Sequence, residues 1–307
     1  MQYAEGMLKD AGFVLSDICC SRPSCFDFAV RKNKNIVFIK FQSDVGYVTS
    51  NDAYELKLIS ECVSANSLLV SERTRERPLE DDTVYTRYNL LTVTPKTFEN
   101  IIVQKIHPMI HAGPGGYYVE TDGEAVKQRR QELGLSVGEM AEMIGTSRRT
   151  LYGYERGMAK ASVSAAYNLI WILGIPVAKP INVFKKSQDQ HRCLLTKAKY
   201  AIAKNKLLKR ILKKLCRYHV TAVKKAPFDF FVTVPHDEMK IIGGVVSKME
   251  PELDRRVDEI LSLSRIIEAH PILVTSGQKP SGKDISCISS RELSKVRYPE
   301  DLIAAAR

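Results

Sequence analysis

Two aspartates stand in closely similar settings near opposite ends of the 307-residue chain, Asp27 in Phe26-Asp27-Phe28 and Asp229 in Phe228-Asp229-Phe230. Each tripeptide opens an apolar run that predicts a β-strand. A carboxylate at a strand end can contribute to a divalent cation site, although hard cations need several oxygen ligands. The alternative interpretation is that each aspartate caps or anchors a strand beside two core aromatic residues.

The sequence around the two aspartates is repeated, with an offset of 202 to 204 residues. In both the first and the last third, the predicted order is helix, strand, Phe-Asp strand, strand, helix, strand, strand, helix. Alternating helices and strands predict a small α/β domain in each third. The length and order of the match indicate a duplicated domain.

This order of elements resembles the restriction-endonuclease-like fold, which includes archaeal Holliday-junction resolvases. In that fold an aspartate ends one strand and the next strand carries acid-x-Lys. Two carboxylates then hold a divalent metal, while the lysine helps to activate water or to stabilise the phosphorane. In the first copy Asp27 and Lys40 stand at matching positions, but Phe38 replaces the acid.

In the second copy Asp229 matches, whereas we place Lys240 and Ile242 at the positions of the acid and the lysine. Neither copy therefore keeps the metal-binding constellation. We expect two degenerate nuclease-like domains without catalysis, metal or cofactor, in which Asp27, Lys40 and Asp229 are vestigial positions.

The middle of the chain contains the most specific motif. Thr121-Asp122-Gly123-Glu124 and Ser136-Val137-Gly138-Glu139 both have the form of a capping box, which predicts helix starts at each. Ser147 is a third predicted N-cap, and Gly145 lies in the turn before it. Four short helices with a glycine in the turn between the second and third are typical of a helix-turn-helix. We expect its packed faces to meet at Leu133, Met140, Ala141, Ile144 and Leu151.

Residues 133–157 resemble the Cro/phage-repressor type of helix-turn-helix. By that resemblance the recognition helix, residues 147–156, enters the major groove with its first turn facing the bases. Arg148 and Arg149 are the predicted base-reading residues, because a guanidinium pairs bidentately with guanine for about 1–3 kcal/mol of discrimination. The predicted phosphate contacts are Ser147, Thr150, Tyr152 and Lys160.

One position departs from the repressor pattern. Val137 stands where repressors often place a glutamine that braces a phosphate and a recognition-helix side chain. The alternative for the module is a protein-interaction domain in which Arg148 and Arg149 are solvated.

Short segments around this module predict how it is bounded. The sequence Gly113-Pro114-Gly115-Gly116 indicates a break after the first domain. Residues 116–119 and 181–184 predict two short strands that pair and close the module.

A strongly basic segment follows the helix-turn-helix. Residues 185–217 hold twelve basic side chains and one acid, and the resulting charge of +11 equals the net charge of the whole chain. Within it, residues 201–217 predict an amphipathic helix with an apolar stripe for the second sheet. Its cationic face has three alternatives, namely DNA phosphates, a membrane surface or plain solvation. We favour auxiliary phosphate binding by Lys206, Lys209, Arg210, Lys213, Lys214 and Arg217.

The composition excludes several classes of protein. Because the charge is local, the chain is not a general polycation, and 44% apolar residues exclude overall disorder. No signal peptide and no bilayer-spanning run are visible. Seven cysteines without paired Cys-x-x-Cys spacing favour reduced thiols in a cytoplasmic protein over zinc ligation.

The full arrangement resembles a family of archaeal helix-turn-helix transcriptional regulators. We expect a multidomain α/β plus all-α protein, with a helix-turn-helix domain at 108–186 between nuclease-like domains at 1–107 and 187–307. The predicted function is sequence-specific binding of double-stranded DNA by a cytoplasmic regulator that acts as a homodimer. The nuclease-like domains would serve as an intramolecular pseudo-dimer and scaffold. The alternative functions are a structure-specific nuclease or repair factor with an atypical metal site, and a scaffold that does not bind DNA.

Overall fold

We describe the protein from a computed structural model, which covers residues 2–75, 77–185, 205–215, 218–234, 239–247, 249–281, 284–296 and 298–304. The chain forms two compact units. One consists of Met1–Phe41, Val48–Leu68 and Phe184–Arg307, and the other of Gln42–Tyr47 and Leu69–Val183. Among the described helices, none combines the length and the apolar character that crossing a bilayer requires.

The first unit opens with a helix and three antiparallel strands, α1 (Gln2–Asp10), β1 (Val14–Leu15), β2 (Phe28–Lys32) and β3 (Asn35–Phe41). The next two elements are α2 (Ser50–Cys62) and β4 (Asn66–Val70), and β4 leads from the first unit into the second. Thr49 and Asp52 form a capping box at the start of α2. The predicted order of elements is confirmed over this stretch.

The second unit begins with five short elements, β5 (Arg73–Thr74), β6 (Arg77–Pro78), β7 (Thr83–Arg87), β8 (Leu90–Val93) and α3 (Pro95–Glu99). Strands β5 and β6 form a small antiparallel pair. Helix α3 has Thr94 as its N-cap and runs directly into a π-helical turn, Asn100–Gln104.

A hairpin of two strands, β9 (Ile110–Gly113) and β10 (Gly116–Val119), joins this part of the unit to the helix-turn-helix. Gly113 pairs with Gly116 across the turn, where Gly115 has a φ of 83°. Strand β9 also pairs in parallel with β7. The interpretation of the glycine-rich sequence as a break between domains is therefore wrong, because it is the turn of a hairpin within a continuous sheet.

Four helices follow, α4 (Gly123–Glu132), α5 (Val137–Met143), α6 (Arg148–Glu155) and α7 (Val163–Leu173), with strand β11 (Ala161–Ser162) before the last. The predicted N-caps Ser136 and Ser147 are confirmed, and Ser136 completes a capping box with Glu139. The first predicted box is wrong, since Asp122 caps α4. Thr121 is buried instead and donates its hydroxyl to the Tyr154 carbonyl at 3.3 Å.

The core of the helix-turn-helix is close to the prediction. Met140, Ala141, Ile144 and Leu151 are all buried in one cluster with residues of α7. Leu133 is the exception, because it lies at the C-terminal end of α4 and is 42% exposed. Its predicted place in the core is therefore wrong.

The predicted strand at 181–184 does not form. Strand β10 pairs with β11 on the side away from β9, with Val119 opposite Ala161. Residues 181–184 are irregular, and the Ile181 N–H donates to the Pro108 carbonyl at 2.7 Å. Pro180 lacks the backbone N–H that a ladder would require at that point.

The remainder of the first unit contains α8 (Lys206–Lys214), β12 (His219–Ala222), β13 (Phe230–Thr233), β14 (Lys240–Val246), α9 (Leu253–Ile267), β15 (His270–Thr275), β16 (Ser286–Ser289) and α10 (Pro299–Ala304). The strands form a five-stranded sheet in chain order, antiparallel up to β14 and parallel beyond it. The predicted apolar stripe of the basic helix is confirmed for α8, which buries Leu207, Leu208, Ile211, Leu212 and Leu215 in the core of this sheet.

The pairing of the strands corrects one assignment made from the sequence. Phe28 lies opposite Ile39, and Phe230 lies opposite Gly243. The two copies are thus offset by 202 residues in β2 and β13 and by 204 residues in β3 and β14. The difference arises because the turn between β13 and β14 is two residues longer than the turn between β2 and β3. The residues equivalent to Phe38 and Lys40 are therefore Ile242 and Gly244, and the assignment of Lys240 and Ile242 is wrong.

Within the first unit, the N-terminal and C-terminal regions of the chain contact each other through two matching sets of hydrogen bonds. Glu259 of α9 accepts hydrogen bonds from the backbone N–H groups of residues 20–21, at 2.9 and 2.8 Å. Glu55 of α2 accepts hydrogen bonds from the backbone N–H groups of residues 224–225, also at 2.9 and 2.8 Å. Each pair of residues is related to the other by the same offset of 204, so the two contacts are reciprocal.

Candidate nucleic-acid interface

The helix-turn-helix is held together by a buried ion pair that was not predicted from the sequence. Arg130 of α4 donates from Nε and Nη2 to the two carboxylate oxygens of Glu155 in α6, at 2.6 and 3.2 Å. Its Nη1 donates to the Leu135 carbonyl at 2.8 Å. Both side chains are almost fully buried. The pair ties α4 to α6.

Close packing at the start of α4 depends on Gly123. A β-carbon at this position would lie 2.6 Å from the Tyr154 carbonyl oxygen and would also collide with the carbonyl of Glu155. The backbones of α4 and α6 thus approach each other where a side chain cannot fit. The contact fixes the C-terminal end of α6 against α4.

The predicted reading residues lie on the surface of α6. Ser147, Arg148 and Arg149 are exposed at its N-terminus, and Tyr152 follows one turn later at 43% exposure. Ser147 Oγ lies 2.8 Å from Thr150 Oγ1 and accepts from the Thr150 N–H at 3.0 Å. Ser147 and Thr150 are therefore paired with each other as an N-cap.

Two basic side chains flank the C-terminal end of α6. The Arg156 guanidinium lies over the Tyr152 ring at 4.5 Å from its centroid, which is a cation–π arrangement. Lys160 is exposed beyond it and lies close enough to His111 of β9 to affect it. Burial, together with the charge of Lys160, lowers the pKa of His111 below its ordinary value. The neutral form of the imidazole is therefore favoured.

The first nuclease-like position is neutralised by its own lysine. Asp27 is buried and accepts from Lys40 Nζ at 2.6 Å and from the Phe41 N–H at 2.7 Å. Phe38 occupies the position of the missing acid, and its ring packs in the core at 4.8 Å from that of Phe26. A divalent cation needs several oxygen ligands, so these residues do not fit the metal that the nuclease fold uses.

The second nuclease-like position keeps its aspartate, and arginines from other parts of the chain stand in for the lysine. Asp229 Oδ2 accepts from the Val245 N–H at 2.6 Å and from Arg256 Nη2 at 2.5 Å, while Arg22 Nη1 lies 3.0 Å from Oδ1. At the lysine position, a β-carbon on Gly244 would lie 3.5 Å from Arg256 Nη2. The guanidinium groups of Arg22 and Arg256 thus take the place of the lysine beside Asp229, and this site does not fit a divalent metal either. Over the described part of the chain, no group of three or more His, Cys, Asp or Glu side chains is placed to hold a metal ion.

The cationic face of α8 divides into two groups. Arg210 Nη2 donates to the Ser290 carbonyl at 3.3 Å, and Lys214 Nζ donates to two carbonyls of residues 294–296 at 2.8 and 3.0 Å. These two side chains fasten the helix to the segment after β16. The exposed cations that point away from such partners are Lys206, Lys209 and Lys213. Arg217, which completed the predicted set, lies outside the described residues.

The fold and these sites define a protein that combines a nuclease-type α/β domain with a helix-turn-helix. A family model described as "PD-(D/E)XK superfamily domain" matches residues 1–108, and one described as "Helix-turn-helix" matches residues 126–179.

Comparison with known proteins extends the match over nearly the whole chain. A protein of Methanocella arvoryzae named "Putative HTH-type transcriptional regulatory protein" is 31% identical over 304 residues, covering 96% of this chain and 91% of its own. A Pyrococcus furiosus protein with the same type of name is 30% identical over 303 residues, covering 97% and 94%. The chain belongs to this family of archaeal HTH-type transcriptional regulatory proteins.

A solved structure also matches a short part of the chain. The restriction-modification controller protein C.AhdI from Aeromonas hydrophila is 30% identical, with 17% of this chain and 80% of that chain covered, at a TM-score of 0.17.

Proposed function

We propose that the protein is a sequence-specific regulator that binds double-stranded DNA with α6 in the major groove. The observation that carries the proposal is the arrangement of α6, whose N-terminal turn presents two exposed arginines while its C-terminal end is locked to α4 through Glu155 and Gly123. A rigid helix with free guanidinium groups at its tip meets the geometric requirement for base readout. Membership of a family of HTH-type transcriptional regulatory proteins supports the same function.

Within this proposal the exposed residues have separate roles. Arg148 and Arg149 read bases, and the phosphate contacts are made by Ser147, Thr150, Tyr152 and Lys160. The free lysines of α8 add affinity that depends on salt and not on sequence. We place the regulator in the cytoplasm, where it meets DNA.

Selection of bound fragments from random-sequence duplex DNA tests this function. The full chain at moderate salt should enrich one motif, and Arg148→Ala and Arg149→Ala should each remove preference at a defined base pair. Lys34→Ala, on an exposed turn far along the chain, is the matched control and should enrich the unchanged motif. If the wild-type protein enriches no motif, or if neither arginine matters, the proposal fails.

We also propose that the nuclease-like domains at 1–107 and 187–307, on either side of a helix-turn-helix domain at 108–186, are duplicated and non-catalytic. Support for duplication comes from the shared order of elements and from equivalent contacts, such as the Phe41 and Val245 N–H groups that each donate to the matching aspartate at 2.7 and 2.6 Å. The reciprocal contacts of Glu55 and Glu259 support an intramolecular pseudo-dimer. Because both aspartates are paired with lysine or arginine side chains and accept from backbone N–H groups, we assign these regions a role as scaffold.

A cleavage assay distinguishes the scaffold from a nuclease. Duplex, branched and single-stranded DNA incubated with the protein and Mg²⁺ or Mn²⁺ should remain intact. Metal-dependent cleavage that Asp27→Ala abolishes would overturn the non-catalytic assignment.

We propose that the active form is a homodimer, with α7 as the surface between copies. This helix contains no charged residue, and it exposes Val163, Tyr167, Ile170 and Trp171 at 39, 64, 40 and 79%. An uncharged apolar surface of this kind matches a second copy of itself, because no charge is left unpaired on either side. Sedimentation analysis should show a dimer that Trp171→Glu converts to monomer, while Tyr3→Glu leaves it intact.

A further inference from the structure

The side chain of Arg148 lies against a glycine of the preceding helix. A β-carbon at Gly138 would stand 2.8 Å from Arg148 Nε and 3.0 Å from both Cζ and Nη2. Contacts under about 3 Å between carbon and these atoms are not tolerated, so any other residue at 138 would move the guanidinium. The direction of Arg148 therefore depends on the absence of a side chain at Gly138.

Packing, and not hydrogen bonding, sets this direction. Across the described residues, Arg148 has neither a hydrogen bond nor an ion pair, and its side chain is exposed. The neighbours of Gly138 are engaged elsewhere, since Val137 packs on the core cluster and the Glu139 carboxylate accepts from the Ser136 N–H at 2.8 Å. All five donors of the Arg148 guanidinium thus remain free for a ligand while its Nε, Cζ and Nη2 atoms lie beside Gly138 of α5.

We infer that Gly138 is a specificity-determining position, which positions Arg148 and thereby selects the base pair that Arg148 reads. This inference rests on the proposed function and adds a residue that touches no DNA. Val137 cannot supply a polar brace to the recognition helix. The close approach of the guanidinium to the bare backbone of Gly138 takes its place. Bidentate recognition of guanine O6 and N7 depends on the orientation of the planar fork, so redirecting it changes readout more than affinity.

The same geometry predicts that the fold tolerates a change at this position. The colliding atoms belong to the end of a flexible, exposed side chain, which can move aside. Alanine also has a higher helix propensity than glycine inside a helix. Gly138→Ala should therefore melt at the same or a higher temperature than the wild type while reading DNA differently.

Selection from random-sequence duplexes with six full-length proteins tests the inference. These are the wild type, Gly138→Ala, Arg148→Ala, Arg149→Ala, the double variant of Gly138→Ala with Arg148→Ala, and Gly6→Ala, the last being a helical glycine with open space around it. We expect Gly138→Ala to alter preference at the base pair that Arg148→Ala affects, by roughly tenfold in relative affinity, since one bidentate contact discriminates by about that factor. The base pair that Arg149→Ala affects should keep its preference, and Gly6→Ala should match the wild type.

The outcomes separate this inference from the proposed function. A wild-type motif that Gly138→Ala leaves unchanged would overturn the role of Gly138 and leave the regulator intact. A wild type without any motif would remove both. In the Arg148→Ala background, Gly138→Ala should have no further effect on the motif. If Gly138→Ala fails to fold and the double variant fails as well, Gly138 is a structural glycine and the inference is wrong.

Discussion

The Glu155 carboxylate receives two hydrogen bonds from the Arg130 guanidinium inside the helix-turn-helix, at 2.6 and 3.2 Å, with side chains that are 5 and 9% exposed. Removing one partner of a buried pair leaves the other charge without compensation, at a cost of about 3–5 kcal/mol. Glu155→Gln should therefore lower the melting temperature of the second unit sharply in calorimetry. The matched control is Glu132→Gln, which breaks the exposed pair of Arg129 and Glu132 within α4. Equal melting of the two variants would contradict a structural role for the buried pair.

Gly123 and Gly6 both lie in helices, yet substitution should affect them in opposite ways. Gly123→Ala places a β-carbon against the backbone of residues 154–155, which cannot move aside as a side chain can. We expect a loss of about 3 kcal/mol or more in the free energy of unfolding. Gly6→Ala meets no atom within 4 Å and should be neutral or slightly stabilising. Urea denaturation followed by circular dichroism measures the free energy of unfolding of both variants. An unchanged free energy for Gly123→Ala would contradict the close approach of α4 and α6.

Glu259 should contribute more to stability than its counterpart Glu55. Glu259 is 2% exposed and accepts from two backbone N–H groups and from the Ser21 hydroxyl at 2.5 Å. Glu259→Ala removes an almost fully buried acceptor of three hydrogen bonds and should cost about 2–4 kcal/mol. Glu55→Ala should cost about 1 kcal/mol, because the half-buried site admits water. Denaturant titration of both variants gives the comparison, with Glu252→Ala on the exposed start of α9 as the control. A larger loss for Glu55→Ala would contradict this order.

The ion pair of Asp52 and Lys225 predicts how the stability of the first unit depends on pH. Although burial opposes it, hydrogen bonds from Lys225 and Thr49 hold the pKa of Asp52 below its ordinary value of 3.8. The resulting stability is present above that value and is lost as the pH falls through the lowered pKa. The hydrogen bond with Asp52 raises the pKa of Lys225 above 10.5, so its contribution is present below 10.5 and is lost as the pH rises through the raised pKa.

Melting temperatures between pH 2 and pH 12 test this prediction. Lys225→Gln should flatten both limbs relative to the wild type while leaving the capping box of Thr49 and Asp52 in place. Asp52→Asn should remove the acid limb and also weaken the cap. Parallel curves for the wild type and Lys225→Gln would show that the pair does not contribute.

The three free lysines of α8 predict a salt effect on DNA affinity. Changing Lys206, Lys209 and Lys213 together to glutamine should weaken binding equally for all sequences. It should also reduce the slope of log affinity against log salt by about 0.9 for each phosphate that is no longer neutralised. Fluorescence anisotropy over a salt series measures the slope, and a triple change of Lys9, Lys34 and Lys57 in the same unit is the control. If the slope stays constant, the face of α8 is simply solvated.

Local signals in the sequence predicted the local parts of the fold. Ser136 and Ser147 identify helix starts because an N-cap bond spans only three residues, and their positions are confirmed. Gly145 identified the turn for the same reason, with a φ of 72°. These interactions are complete within a few residues, so the sequence pattern contains all their partners.

Interactions between distant residues were not predictable in this way. The charge on Asp229 is balanced by Arg22, which is 207 residues away, and by Arg256 from a helix. Gly244 stands at the lysine position because the turn before β14 is two residues longer than the turn before β3. Counting a constant spacing from the aspartate does not reveal this difference. Arg130 and Glu155 are 25 residues apart, and only the packing of α4 on α6 brings them together.

The hairpin of β9 and β10 connects the helix-turn-helix to the rest of the second unit through paired strands and not through a flexible linker. Strand β9 pairs with β7 on one side and with β10 on the other, and β10 pairs with β11, which follows α6. Backbone hydrogen bonds therefore connect β7 continuously to β11. In a dimer on DNA, the distance between two such helices would be set by folded protein and not by linker length. An operator whose half-sites are moved apart by a few base pairs should then lose binding abruptly, since no segment within this sheet can stretch to follow them.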